Sequence, residues 1–272
     1  MALGLHHIEF SNTSVLSYLT NLSSQLVLST DERINISVSL GFLKTRLNNW
    51  SHSGDILEQE VFGSYDRDTI LPRKYDDGSD VDYMIVFKNP NNYQPETFRG
   101  WLKKFAEEKY TRSEIYLDYP TTVLELSHIK FELVPAIKPY WGSYMIPANT
   151  TIFSKWQSTN PFTLKNTITE ANKINHNVRP LIRLMKYWNV LNGKPYASFE
   201  LEQKIANMPF WYSKNLEECF YFFVEALMAD YSMSQANKNA VNKLKNQARQ
   251  AQYHKQMGLP AFAENDIKTL FE

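Results

Sequence analysis

The sequence predicts an α+β protein: a mixed α/β half followed by a helical half. Three observations predict it. Glu60-Val61-Phe62 and Val81–Phe87 are β-rich runs separated by a loop rich in Pro, Asp and Gly. Thr122–Leu126 and Ile129–Val134 look like a hairpin turning at Ser127-His128. From Thr163 onward β-signals nearly vanish and apolar residues recur at helical spacing.

Met1 to Phe10 carries two histidines and one glutamate but no basic stretch followed by an apolar one, so no signal peptide is expected. Ser29-Thr30-Asp31-Glu32 has the capping-box pattern, and behind it Ile36, Leu40, Leu43 and Leu47 recur at the period of an amphipathic helix. That helix should run from about Thr30 to Asn49. Another is expected over Pro95 to Tyr110. In the second half, Thr163–Asn175, Val178–Leu191, Ser198–Ile205, Leu216–Tyr231 and Ala236–Met257 all suit helices. The break between halves falls near residues 147–165, giving expected domains 1–160 and 161–272.

Composition narrows the class. The 272 residues are 43% hydrophobic and 14% aromatic, which excludes a disordered chain and supplies a large core. Lys plus Arg (29) balances Asp plus Glu (29), so electrostatic arguments must be local. A single cysteine, Cys219, excludes an intramolecular disulfide framework and fits a reducing compartment. No apolar run approaches membrane-spanning length, so a soluble, cytoplasmic protein with no membrane partner is expected.

The chemistry concentrates in Phe62-Gly63-Ser64-Tyr65 and Gly78-Ser79-Asp80-Val81-Asp82-Tyr83. Side chains alternate along a strand, so Asp80 and Asp82 share one face while Val81, Tyr83, Ile85 and Phe87 fill the other. Adjacent carboxylates repel unless a cation bridges them, and all-oxygen ligation suits Mg²⁺ or Mn²⁺. The plain alternative is a solvated edge strand. A strand turning into a helix at Gly63-Ser64 would present amide N–H groups and a hydroxyl to an anion. The third carboxylate is then sought on a neighbouring strand. Glu132, in Lys130-Phe131-Glu132-Leu133-Val134, and Glu125, in Leu124-Glu125-Leu126, are the two candidates; the plain reading of Glu132 is a strand glutamate paired with Lys130.

Gly63-Ser64 followed by Asp80-Val81-Asp82 resembles the signature of polymerase-β-superfamily nucleotidyltransferases. The run from Phe62 to Lys74 looks like the bacterial branch related to cyclic GMP-AMP synthase and oligoadenylate synthetase. The likeness continues through Lys130–Ala136, Arg179–Asn189 and Ser198–Glu202, covering roughly residues 30 to 230. Two positions depart from the pattern: many relatives have Arg-Gly-Thr at Arg67-Asp68-Thr69, and many use aspartate where this chain has Glu132.

The resemblance implies a two-lobed enzyme, with a nucleotidyltransferase palm at 1–160, a helical lobe at 161–272 and a long N-terminal helix bracing both. It implies catalytic and metal roles for Asp80, Asp82 and Glu132, and nucleotide binding by Gly63, Ser64, Arg183, Lys186 and Ser198. Arg179, Arg183 and Lys186 do share one helix face, which is either solvated or aimed at a triphosphate. Ser198 alternatively reads as a helix N-cap. Trp141, Trp156 and Tyr196 are candidates for stacking on a base. The expected activity is Mg²⁺-dependent synthesis of a cyclic or short linear oligonucleotide messenger from nucleoside triphosphates, in antiviral signalling. The rivals are nucleotide addition to tRNA or another RNA or protein acceptor, and a catalytically silent nucleotide-binding adaptor. Lys238, Lys243, Lys245, Arg249 and Lys255 mark a basic amphipathic helix, either an RNA track or a packed helix with a solvated basic face.

Overall fold

The computed structural model describes residues 14–139, 143–148 and 155–272. The chain divides into two compact units: Val27–Glu170, and the chain up to Leu26 together with Ala171–Glu272. Helix α1 (Val15–Gln25), capped by Ser14, belongs to the second unit and precedes the first helix the sequence predicts.

The Val27–Glu170 unit begins with α2 (Thr30–Asn48). Its capping box is complete: the Ser29 hydroxyl accepts from the Glu32 amide and the Glu32 carboxylate accepts from the Ser29 amide. There follow β1 (Ile56–Phe62), α3 (Gly63–Asp66), β2 (Asp80–Phe87), α4 (Pro95–Lys109), β3 (Glu114–Asp118), β4 (Thr121–Glu125), β5 (Lys130–Ile137), β6 (Tyr144–Pro147) and β7 (Trp156–Thr159). Helix α5 (Thr163–Ile174) crosses the boundary between units.

The strands form one sheet of order β1-β2-β5-β4-β3, with β6 joining β5 to β7. Strands β2 and β5 run parallel; the other pairs are antiparallel. β2 is therefore a central strand, not the solvated edge that would make Asp80 and Asp82 ordinary surface aspartates. The predicted alternation holds. Val81, Tyr83, Ile85 and Phe87 join Phe131 and Leu133 against Ile36, Leu43 and Leu47 of α2 and Phe98, Leu102 and Phe105 of α4. Each side chain buried this fully contributes about 1.5–3 kcal/mol of transfer free energy, so this face fixes the strand register. On the opposite face Met84, Val86 and Ala136 form a smaller cluster beyond the polar strand ends.

The second unit continues with α6 (Val178–Leu191), α7 (Ser198–Ala206), α8 (Leu216–Ala226), α9 (Gln235–Gln256) and α10 (Pro260–Lys268). Helix α8 stops short of the expected Tyr231 because Leu227 turns to an extended conformation. Helix α9 buries Val241, Leu244, Ala248 and Ala251. Among its cations, Lys245 donates to the carbonyls of Glu225 and Leu227, Lys238 donates to the Tyr231 carbonyl, and the exposed Arg249 and Lys255 pair with Glu225 and with Glu217 at 2.7 Å. The apolar stripe is thus packed as its spacing predicts. Among the described residues no helix is long and apolar enough to cross a membrane.

Candidate active site

The site is built where β1 ends beside the start of β2. Phe62, the last residue of β1, pairs with Asp82, and the chain then turns into α3 at Gly63. Gly63 has a φ of +73°, the left-handed region that side chains disfavour. A Cβ there would overlap the Asp82 carboxylate, so backbone and carboxylate meet only because this residue is glycine. The loop beyond is closed on Ser64, whose carbonyl accepts from the amides of Thr69 (2.9 Å) and Ile70 (3.0 Å).

Asp68 explains one departure from the family pattern. Its φ of 59° is left-handed, the conformation that a glycine adopts without cost. The extra carboxylate is drawn onto Arg33 of α2 at 2.7 Å, and Asp66 likewise onto Lys165 at 2.7 Å. Two basic residues distant in sequence thus offset the acids of this loop.

The parallel register pairs Asp80 with Lys130 and Asp82 with Glu132, putting all four side chains on the face opposite the α2–α4 core. The Lys130 ammonium lies 3.4 Å from Asp80 Oδ2 and 3.3 Å from Glu132 Oε1. The pairing of Glu132 with Lys130 is therefore present, but it extends to Asp80 as well. Burial, then the neighbouring Asp80, push the Glu132 carboxyl up to about 7, with Lys130 opposing. Burial pulls Lys130 down, yet the two carboxylates outweigh it and its pKa is raised. Glu125 pairs with Lys130 in register but sits on β4, one strand further from β2, where Arg73 holds it at 2.7 Å. Glu132 is thus the acid adjacent to the aspartates.

Among the described residues no three His, Cys, Asp or Glu side chains are arranged to hold a metal as they stand. The chemistry of the donors still fits a hard divalent cation. They are carboxylate oxygens on adjacent paired strands, and Asp80 and Glu132 are close enough for one ammonium to reach both.

The other candidates lie in the second unit. Lys186 is buried against Glu202 at 3.1 Å, with the Glu202 side chain 0% exposed. Arg183 is also buried and Arg179 half-buried, so this helix face is not a solvated basic face. Ser198 is the first residue of α7, not its cap; Ala197 occupies that position. Tyr196 is buried with its hydroxyl donating to the Met228 carbonyl at 2.9 Å, and Trp156 packs on Phe98 while donating to the Tyr93 carbonyl. Both are packing residues in this structure. Trp141 and much of the 140–160 loop lie outside the described residues.

Sequence reasoning did not find Arg33, Lys165 or the contact from Lys130 to Asp80. The Lys-x-Glu alternation at 130–132 does place both side chains on one face. Their approach to Asp80 depends on a register between strands 50 residues apart.

A family model described as Second Messenger Oligonucleotide or Dinucleotide Synthetase domain matches residues 13–172. The chain belongs to that family. A cyclic AMP-AMP-AMP synthase of Acinetobacter sp. (strain ATCC 27244 / 9458) is 26% identical over 180 residues, which are 63% of this chain and 51% of the relative. The chain thus spans about half the length of that curated relative. Among solved structures, Vibrio cholerae DncV cyclic AMP-GMP synthase in complex with nonhydrolyzable GTP superposes with a TM-score of 0.74 at 11% identity, covering 96% of each chain. E. coli MS115-1 CdnC with ATP gives 0.69 at 12% identity, covering 94% of this chain and 97% of that one. These likenesses show the fold, a polymerase-β-like nucleotidyltransferase fold, for this member of the synthetase family.

Proposed function

We propose that this chain is a divalent-metal-dependent nucleotidyltransferase that makes a cyclic or short linear oligonucleotide messenger from nucleoside triphosphates. The observation that carries the reading is Asp80, Asp82 and Glu132 on one face of two paired parallel strands, with the Gly63 turn pressed against Asp82. Family membership and the Acinetobacter relative support the product class. The resemblance of the Phe62–Lys74 run to the bacterial branch suggests a role in antiviral signalling.

Asp80, Asp82 and Glu132 would hold Mg²⁺ or Mn²⁺. When bound, the metal supplies positive charge that offsets the charge developing on the phosphates during in-line displacement. Gly63 and Ser64 offer backbone N–H groups and a hydroxyl to the β- and γ-phosphates. Arg183, Lys186 and Ser198 are assigned to nucleotide binding. The attacking hydroxyl oxygen forms a bond to the α-phosphorus while the bond to the bridging oxygen of pyrophosphate breaks. Glu132, beside the attacking hydroxyl, would also be the group to accept its proton.

The test is incubation with labelled nucleoside triphosphates and Mg²⁺ or Mn²⁺, with and without tRNA. Pyrophosphate release and a small oligonucleotide product without RNA are expected, and Asp80→Asn or Asp82→Asn should abolish both. Product only in the presence of RNA, or full turnover by either variant, would reject the reading.

A further inference from the structure

We propose that Lys130 is the resident counter-cation of the carboxylate cluster, which a divalent metal must displace, so that Lys130 sets the metal affinity of the site. The inference rests on the reading of Asp80, Asp82 and Glu132 as metal ligands, but concerns a residue that the reading leaves without a role.

The geometry is specific. One ammonium lies 3.4 Å from Asp80 Oδ2 and 3.3 Å from Glu132 Oε1, and its side chain is only 15% exposed. The placement is set by backbone, because Lys130 is the register partner of Asp80 and is two residues from Glu132 on the same face. Without this cation, the two carboxylates that one ammonium now reaches at 3.4 and 3.3 Å would repel each other in a partly desolvated site. Lys130 therefore keeps the cluster assembled before any metal arrives.

Metal and ammonium compete for the same oxygens. Divalent magnesium binds carboxylate oxygen at about 2.1 Å, so an ion on either of these oxygens would lie within about 5.5 Å of Nζ and face its like charge. Such a pair is strongly unfavourable at low effective dielectric. The lysine stem is long and flexible, so the ammonium can shift away from an arriving metal. Metal binding is thereby an exchange of one cation for another, weaker than the bare carboxylates would allow.

The experiment measures Mn²⁺ binding to the whole chain, by electron paramagnetic resonance of free Mn²⁺, for wild type, Lys130→Met, Lys130→Arg and Asp82→Asn. Thermal midpoints with chelator and with saturating Mn²⁺ accompany it. Lys130→Met should bind Mn²⁺ about tenfold more tightly, with a lower midpoint in chelator that Mn²⁺ largely restores. Lys130→Arg, which keeps the charge, should stay near wild type. Should Lys130→Met fail to fold, Lys130→Gln carries the same comparison. Equal or weaker Mn²⁺ binding by the charge-removing variant, with binding lost in Asp82→Asn, would overturn the role of Lys130 and leave the metal site standing. No Mn²⁺ binding by wild type or by either charge-removing variant would overturn the metal site, and this proposal with it.

Discussion

Gly63 lies directly against the carboxylate of Asp82, with no room between them for a methyl group. The contact joins the turn after β1 to the start of β2, and its φ of +73° adds a second constraint on the same residue. Gly63→Ala should therefore act at a distance of one side chain. Overlap is relieved by displacing Asp82 or by opening the turn, and either change disturbs the proposed metal and phosphate contacts. We expect turnover to fall about 100-fold, since misplacement of reacting groups by about 1 Å costs this much. Circular dichroism should remain near wild type. A Gly63→Ala protein with ordinary turnover would show that Asp82 does not need this position.

Arg33 and Asp68 give a prediction that separates strain from charge. Asp68→Ala keeps the left-handed backbone but loses the ion pair, and should cost up to about 1 kcal/mol. Asp68→Gly loses the same pair but removes the strain, so its urea midpoint should lie close to that of wild type. Arg33→Ala leaves Asp68 to oppose an incoming triphosphate and should weaken its binding severalfold. In an Asp68→Gly background, Arg33→Ala should have little further effect, a non-additivity that a double-mutant cycle reads directly.

The raised Glu132 carboxyl makes stability of the metal-free protein depend on pH. Its value in the fold is about 7 against an ordinary 4.5, so between these values the native state binds more protons than the unfolded chain. Stability therefore falls as pH rises from about 4.5 to about 7, and the loss from this group is complete above that. Glu132→Gln lacks this slope. Urea midpoints in chelator at pH 5 and pH 8 should show the variant gaining on wild type as pH rises. A difference that stays constant across that range would mean that Glu132 is already ionised at pH 5.

Much of this arrangement is legible in the sequence, for identifiable reasons. Helix α6 matches its expected span of Val178–Leu191, and α2 begins where its capping box says, because local spacing and local hydrogen bonds specify both. The shared face of Asp80 and Asp82 follows from strand alternation alone. Helix α1 escapes because Val15–Gln25 is short and rich in Ser, Thr and Asn, which are weak helix formers. Strand β3 escapes because Glu114–Asp118 is largely exposed and carries little β-signal. Arg33–Asp68 and Lys130–Asp80 join residues 35 and 50 positions apart, and only the tertiary fold brings them together. Local patterns therefore identify the acids and the Lys130–Glu132 pair, but not the bases that reach the acids from distant segments.

The buried Lys186–Glu202 pair is where a folding role and a binding role can be told apart. Their side chains are 6% and 0% exposed, and the Nζ–Oε1 distance is 3.1 Å. Removing one member of such a pair leaves a buried charge without that partner, at a cost of about 3–5 kcal/mol. Lys186→Met and Glu202→Leu should each lower the urea midpoint clearly. The double variant replaces the pair by apolar side chains of similar size and should recover most of that stability. Triphosphate affinity distinguishes the roles. If Lys186 binds nucleotide, affinity stays low in the stable double variant, because the ammonium is still missing. If Lys186 serves only to pair with Glu202, the double variant regains wild-type affinity along with its stability, and the assignment of Lys186 to the nucleotide is wrong.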